Sequence, residues 1–188
     1  MKRYTLILIL LISTLGFAQE EENSESVKIH QNEISFNVLE LILIEAVELQ
    51  YERYLPKNQA LQFNLTLFDS YGYWEAGSIE KSSAHSILAA YKFYMGKRDH
   101  HGVFFYPYMK YMFGSLEHTE SNWFTDQENE IIDVDNFSLG FGFGYKWLFA
   151  DKFTLGVDFN LGRTFNNDLA EFYSSMEYKS GLSFGMRF

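Results

Sequence analysis

The chain has no cysteine, and its basic residues are scarce beside its acidic ones. Without thiols it can form no disulfide, thiolate metal site, cysteine nucleophile or lipoprotein anchor. Its 15 Lys and Arg stand against 25 Asp and Glu, which gives a formal net charge of -10. Because nucleic acids attract proteins chiefly through their negative phosphates, this charge predicts no nucleic-acid partner.

Long apolar runs are also missing, except at the N-terminus. Lys2 and Arg3 precede an unbroken apolar run from Leu6 to Ile12, and residues 16–18 (GFA) have the small-x-small pattern of a signal-peptidase site. The run is shorter than the roughly 20 residues that a spanning helix needs. We therefore interpret residues 1–18 as a secretory signal peptide rather than a transmembrane anchor. If the mature chain enters a membrane, it must span it with strands.

The rest of the chain divides into a short tail and one domain. Residues 19–31 are polar and acidic and show no period, which predicts a flexible periplasmic tail. Residues 32–188 have a length that suits a single domain.

The stretch Phe137–Phe149 (FSLGFGFGYKWLF) indicates the fold of that domain. Bulky apolar residues alternate with glycine, serine and lysine, so a strand would have one aromatic face and one nearly bare face. Similar stretches recur along the chain as predicted strands. From the second predicted strand onward, short connections at 56–58, 96–99 and 150–152 alternate with long ones at 69–84, 115–136 and 164–176. The sequence predicts an all-β fold, an eight-stranded antiparallel up-and-down transmembrane barrel.

Four segments depart from simple alternation. Residues 39–44 are almost wholly apolar, which predicts a bulge or tight bend in the first strand. Residues 69–84 and the acidic stretch 115–136 are interpreted as long loops. Pro107 has no backbone N–H to donate to a strand ladder, so we expect a local break in the predicted strand that contains it.

Two kinds of barrel share this alternation, and the volume of the lumen distinguishes them. A soluble lipocalin-like carrier would turn its apolar face inward, but an eight-stranded barrel has room inside for few large side chains. The chain is 19% aromatic, so its apolar faces fit lipid outside better than a lumen. Aromatic residues near the predicted strand ends are expected to form interfacial girdles: Tyr51, Tyr54, Tyr94, Tyr145, Trp147, Phe149, Phe153 and Phe188.

The last strand carries a resemblance to a known family. Apolar residues alternate to the final position, at Tyr178, Leu182, Phe184, Met186 and Phe188. This pattern resembles the C-terminal assembly signature of bacterial outer-membrane proteins. Residues 32–188 look like a small OmpA/OmpX-type barrel of a Gram-negative cell envelope, close to uncharacterised outer-membrane β-barrel families. The resemblance implies an outer-membrane location, with membrane lipid and lipopolysaccharide as neighbours and the barrel assembly machinery as a partner during biogenesis. It implies no activity.

Charged residues on the bare faces form the candidate site. In a narrow lumen they must pair or stay hydrated. They could form a salt-bridged plug that makes the barrel rigid, or line a narrow path for ions or protons. The predicted lumen charge network consists of Glu48, Glu52, Lys92, Lys110, Lys146, Asp158, Lys179 and Arg187.

No catalytic, cofactor or metal residues are predicted. His100 and His101 lie in a short turn, and we interpret them as a solvated pair. His85-Ser86 would suit a hydrolase such as the lipid A deacylases, but adjacent residues of a strand point to opposite faces. The acidic stretch 115–136 could bind a cation through Asp133 and Asp135, although it lacks EF-hand spacing and also fits a solvated loop.

Aromatic side chains in the predicted loops could contact an extracellular protein or lipopolysaccharide, or lie in the membrane interface. They are Tyr71, Tyr73, Trp74, Trp123, Phe124, Phe172 and Tyr173. The expected function is a non-catalytic envelope-structural or surface-interaction role. The alternatives are an outer-membrane lipid-modifying enzyme and a soluble lipocalin-like carrier.

Overall fold

A computed structural model describes residues 31–70, 79–96, 100–119, 129–165 and 175–188, with side chains omitted at 79–82, 116–119 and 129–132. The predicted signal peptide, nearly all of the predicted tail and the seven loop aromatics lie outside the described residues.

Strands dominate the described chain, and one short helix interrupts them. The elements are β1 (Asn32–Asn37), α1 (Val38–Ile44), β2 (Val47–Leu55), β3 (Gln59–Leu67), β4 (Ile79–Ser82), β5 (His85–Tyr94), β6 (Gly102–Thr119), β7 (Asn129–Phe149), β8 (Phe153–Thr164) and β9 (Met176–Arg187). No helix in the described part of the chain is long and apolar enough to cross a membrane.

All strands belong to one antiparallel sheet that closes on itself. Apart from β4, strands that follow each other along the chain pair in turn from β1 to β9, with β3 next to β5, and β1 pairs with β9 to close the barrel. β4 and β5 pair with successive parts of β6 and so share one position in the wall. Nine strands therefore fill eight positions, and the predicted eight-stranded up-and-down barrel is confirmed. We call the end of the barrel with the short turns, such as 56–58 and 150–152, the inner end, and the opposite end the outer end.

The two faces of the wall have opposite chemistry. On β7, Phe141 and Phe143 are 61% and 59% exposed on the outside, whereas Lys146 is buried in the lumen. The same arrangement recurs on the other strands, so the buried residues are mostly polar or charged. The core of this barrel is a polar lumen.

Glycines on β7 make room for aromatic rings from β6. Gly142 pairs with Tyr106 and Gly140 with Tyr108, and each ring lies across its glycine. A Cβ at position 142 would lie 2.0 Å from Cζ of Tyr106. The glycine stripe therefore lets large side chains fill the lumen without widening the barrel.

The predicted bulge at residues 39–44 was wrong, because this segment is the helix α1. Asn37 caps it: its Oδ1 accepts hydrogen bonds from the backbone N–H groups of Leu39, at 3.1 Å, and Glu40, at 3.4 Å. Glu45 ends it with a left-handed conformation, φ 56°. A run that is almost wholly apolar has no clear period, so the cap decides between strand and helix here.

At the outer end of the barrel, the strands extend further than the sequence predicts. β6 and β7 extend to Thr119 and Asn129 and so occupy part of the predicted loop 115–136. β4 lies within the predicted loop 69–84. At Pro107 the ladder to β5 is interrupted between Ala90↔Tyr108 and Phe93↔Phe105, while pairing to β7 continues. The expected local break thus affects one edge of β6 only.

Replacing Gly142 with Ala should destabilise the barrel by about 1–3 kcal/mol, because the new methyl group collides with the Tyr106 ring. The free energy of unfolding in urea, measured in lipid, tests this. Phe143→Leu is the control, since it changes the outward neighbour and should cost less. Equal losses for both variants would contradict the packing argument.

Candidate functional site

The lumen contains the eight charged residues of the predicted network. Glu48, Glu52, Lys92, Lys110, Lys146, Lys179 and Arg187 are buried, and Asp158 is half-buried. Each occupies an inward position of its strand, because it follows the same alternation that turns the apolar residues outward. The structure divides most of these residues between two clusters and adds acidic partners that the sequence interpretation omitted.

The inner cluster consists of Glu33, Glu52, Lys92, Lys146 and Arg187. Nζ of Lys146 lies 2.8 Å from Oε1 of Glu33 and 2.7 Å from Oε2 of Glu52. Glu52 also accepts from Lys92 at 3.2 Å, and Glu33 accepts from Nε of Arg187 at 3.3 Å. These five side chains come from five different strands, so the cluster joins the wall across its width.

Aromatic side chains close the lumen beneath the inner cluster. The hydroxyls of Tyr54 and Tyr94 donate to Glu33 and Glu52, respectively. The ring of His100 lies against both tyrosines, with ring centroids at 4.6 and 5.8 Å. Tyr54 and Tyr94 are therefore lumen residues, and the prediction that they belong to an interfacial girdle was wrong.

His100 is a structural part of this aromatic layer. The prediction that it is a solvated turn residue was wrong. Its Nε2 lies 2.7 Å from the carbonyl oxygen of Leu55, and its own carbonyl accepts from Arg187 at 2.7 Å. Burial lowers the pKa of His100 below its usual value, although the bond to Leu55 acts in the opposite direction. The neutral imidazole suits this position.

The outer cluster consists of Glu40, Asp69, Lys110, Glu177 and Lys179. Lys110 contacts Asp69 at 2.8 Å and also pairs with Glu177. Lys179 pairs with Asp69 and lies 3.4 Å from Glu40 of α1. Two lysines thus hold three carboxylates, and α1 is attached to the lumen through one of them.

Neutral polar side chains fill the lumen between the clusters. Glu48 accepts hydrogen bonds from Asn37, Gln50 and Thr66. Asp158 accepts from the Tyr106 hydroxyl at 2.8 Å. These two predicted network members are thus held by hydrogen bonds to neutral groups.

A small cavity remains beside the outer cluster. Its lining includes Glu48, Thr66, Tyr108, Lys110 and Lys179, and its volume is about 10 Å³. That is room for about one water molecule. The Tyr108 hydroxyl has no hydrogen-bond partner among the described residues, so a water there would satisfy it.

Four acidic members of the clusters were missed from the sequence. Glu33 and Glu177 lie on the inward faces of β1 and β9, and strict alternation would have found them. Asp69 lies in a predicted loop, and Glu40 lies in a segment without alternation. The last two have no recognisable signal in the sequence alone.

The geometry around His85 and Ser86 does not form a catalytic pair. Ser86 points into the lumen and donates to Asp69. The His85 ring lies between Phe68 and Phe113, and its Nδ1 is 3.4 Å from the backbone nitrogen of Phe68. The two side chains point to opposite faces of β5, as expected.

The acidic segment shows no metal site in its described part. Asp135 accepts a hydrogen bond from the Tyr111 hydroxyl at 2.7 Å, and Asp133 is exposed. Within the described ranges, no group of three or more His, Cys, Asp or Glu side chains could hold a metal ion.

The residues of the C-terminal signature lie on β9 or, for Phe188, directly after it, and they share one outward face. Phe184, Met186 and Phe188 are exposed there, and Tyr178 and Leu182 are partly covered on the same face.

Replacing His100 with Gln should flatten the pH dependence of stability between about pH 7 and pH 5. The unfolded chain titrates this imidazole near pH 6.5, above the pKa of the folded state. The unfolded state therefore binds more protons as the pH falls, and the free energy of unfolding decreases.

Urea unfolding of both proteins at several pH values measures this effect. The Gln side chain can still donate to the Leu55 carbonyl but cannot titrate, so it keeps the contact and removes the proton. Identical pH slopes for the two proteins would refute the role assigned to His100.

Comparison with known proteins gives two similar structures. No family model matches the chain, and no curated protein matches it. The crystal structure of the N-terminal β-barrel domain of Pseudomonas aeruginosa OprF is 12% identical, with a TM-score of 0.46, over 84% of this chain and 96% of that one. The structure of the Yersinia pestis outer membrane protein Ail in a phospholipid bilayer nanodisc is 13% identical, with a TM-score of 0.42, over 84% and 98% of the two chains.

Proposed function

We propose that this protein is an integral outer-membrane barrel with a closed lumen and a non-catalytic role in envelope structure or surface interaction. The observation that carries the proposal is the inverted distribution of chemistry: apolar and aromatic side chains cover the outside, and ion pairs fill the inside.

The apolar exterior supports lipid as the surrounding medium. Soluble monomers rarely expose apolar patches larger than a few hundred Å². On β7 alone, seven successive outward side chains are bulky and exposed: Phe137, Leu139, Phe141, Phe143, Tyr145, Trp147 and Phe149. A closed barrel also pairs its backbone groups within the wall, which lipid requires. A lipocalin-like carrier needs an apolar lumen, and this lumen holds charges instead.

The filled lumen favours a structural role over transport. Lys146 and its two carboxylates join β7 to β1 and β2 across the inner part of the lumen. The rings of Phe104, Tyr106 and Tyr108 fill space next to the glycine stripe. A path for ions would require these contacts to separate, so the salt-bridged plug is the better interpretation of the network.

A surface-interaction role receives support from the outer end. β6 and β7 continue as a paired hairpin beyond Thr164, where β8 ends. This extension presents Asp133 and Asp135 to solvent. An extracellular protein or lipopolysaccharide would be met there first.

The lipid-modifying alternative requires a nucleophile and a base that converge. His85 and Ser86 face opposite sides of the wall, and Ser86 is bonded to Asp69 deep in the lumen. A further histidine, His118, has a side chain outside the described set. No described contact favours this second function.

Replacing Phe141 with Lys should lower the free energy of unfolding in lipid by about 2–4 kcal/mol, because the charge would lie near the middle of the hydrocarbon layer. Phe149→Lys is the matched control. It makes the same change at the inner end of β7, where the cost should fall to about 0–1 kcal/mol.

A soluble barrel would give the opposite result. There, a lysine in place of the exposed Phe141 would be neutral or would improve solubility, and the protein would not need detergent for extraction. Equal stability of the two lysine variants, together with free solubility, would overturn the membrane assignment.

A further inference from the structure

One part of the barrel wall is not made of paired strands. β1 pairs with β9 only from Glu33↔Arg187 to Asn37↔Ser183. β9 continues outward from there to Met176, and no described strand continues beside it on that side. The helix α1 packs against β9 in this gap, in the place that a longer β1 would have taken.

The helix has one face toward the lumen and one toward the outside. Glu40 is 2% exposed, and its carboxylate lies 3.4 Å from Lys179. Leu41, Ile42 and Leu43 are exposed, Ile42 by 70%. The helix thus continues the chemistry of the wall, polar inside and apolar outside, without continuing its ladder.

Few interactions hold this helix in place. Seven residues form a helix that is marginal on its own. The Asn37 side chain caps its start, and the same Oδ1 accepts from the backbone N–H of Leu182 at 3.2 Å. At its end the N–H of Ala46 donates to the Glu40 carbonyl at 3.4 Å. The Glu40–Lys179 pair is the contact that draws the helix inward.

The small polar cavity described above lies in the lumen beside this segment. Lys179 links Glu40 to the 10 Å³ cavity, whose lining also includes Tyr108 and Glu177. Oε2 of Glu40 is buried without a hydrogen-bond partner among the described residues. An outward displacement of α1 would connect the cavity with the outside of the wall.

We propose that α1 is a lateral gate between the outer part of the lumen and the surrounding lipid, and that the Glu40–Lys179 ion pair is its latch. In the closed state the helix covers the strand edge of β9, which lipid would otherwise leave without backbone partners. Opening requires the Glu40–Lys179 contact to break and the helix to move outward, with the chain at its two ends acting as hinges. This inference rests on the proposed membrane location.

Amide hydrogen exchange of the mature chain in lipid nanodiscs, resolved by residue, tests the gate. The N–H of Leu182 points to the α1 side, and alternation places those of Phe184 and Met186 on the same edge, where β1 pairs with them. We expect Leu182 to exchange at least about tenfold faster than the other two, because only the gate covers it.

The variant Glu40→Gln should accelerate exchange at Leu182 and in α1 by about tenfold more, and leave Phe184 and Met186 unchanged. Glu177→Gln is the matched control. Glu177 is equally buried, but its carboxylate pairs with Lys110 of β6 and not with a residue of α1, so Leu182 should not respond.

Two results would overturn the gate. If Leu182 exchanges as slowly as Phe184 in the wild-type protein, α1 is a fixed part of the wall. If both Gln variants accelerate Leu182 equally, the Glu40–Lys179 pair is not the latch. A failure to enter nanodiscs would instead refute the membrane location, so the two proposals fail separately.

Discussion

The structure depends on one buried ammonium group, Nζ of Lys146. It reaches from β7 into the lumen and lies within 2.8 Å of carboxylates on β1 and β2. Removing such a group from water costs several kcal/mol, and close ion pairs with further hydrogen bonds must offset the cost. Tyr54 and Tyr94 supply those bonds to the two carboxylates. The pairing is also long in range, because Lys146 and Glu33 are 113 positions apart in the chain.

This constraint explains why the barrel is polar inside. Once ion pairs occupy much of the lumen, most of the large apolar side chains can be accommodated only on the outside, and that outside must meet lipid or aggregate. The glycine stripe serves the same end. Gly140 and Gly142 let Tyr108 and Tyr106 lie flat across β7, and Tyr106 reaches Asp158 on β8. The choice of the strand face that carries the charges thus determines the polar lumen, the packing beside the glycines and the apolar outer surface.

Much of this arrangement could be predicted from period alone. Lys146 alternates with aromatic neighbours, so its inward position follows from the sequence once the membrane barrel is preferred. Tyr54 shows where this fails: it follows the inward alternation of β2, yet an aromatic residue near a strand end is also typical of an interfacial girdle. Its hydrogen bond to Glu33 decides the matter, and that partner lies on another strand.

Glu40 and Asp69 could not be assigned to the lumen for a different reason. They lie where alternation stops, on the helix α1 and just beyond β3. Their burial depends on the three-dimensional path of the connection and on Lys179, which is more than one hundred positions away. Local pattern has no information about such a contact. The helix itself depends on the cap at Asn37. The cap is hard to recognise in the sequence, because the apolar run that follows it also has a high propensity for strand.

The most direct test of this account is a double-mutant cycle on the free energy of unfolding in lipid, with Lys146→Met, Glu33→Gln and the variant that carries both changes. Lys146→Met removes the cation that Glu33 and Glu52 share and should cost about 3–5 kcal/mol. Because the two side chains are in contact, the loss in the double variant should be smaller than the sum of the two single losses by about 0.5–3 kcal/mol. A Lys146→Met variant as stable as the wild-type protein, or single losses that simply add in the double variant, would contradict the claim that this ion pair holds the lumen together.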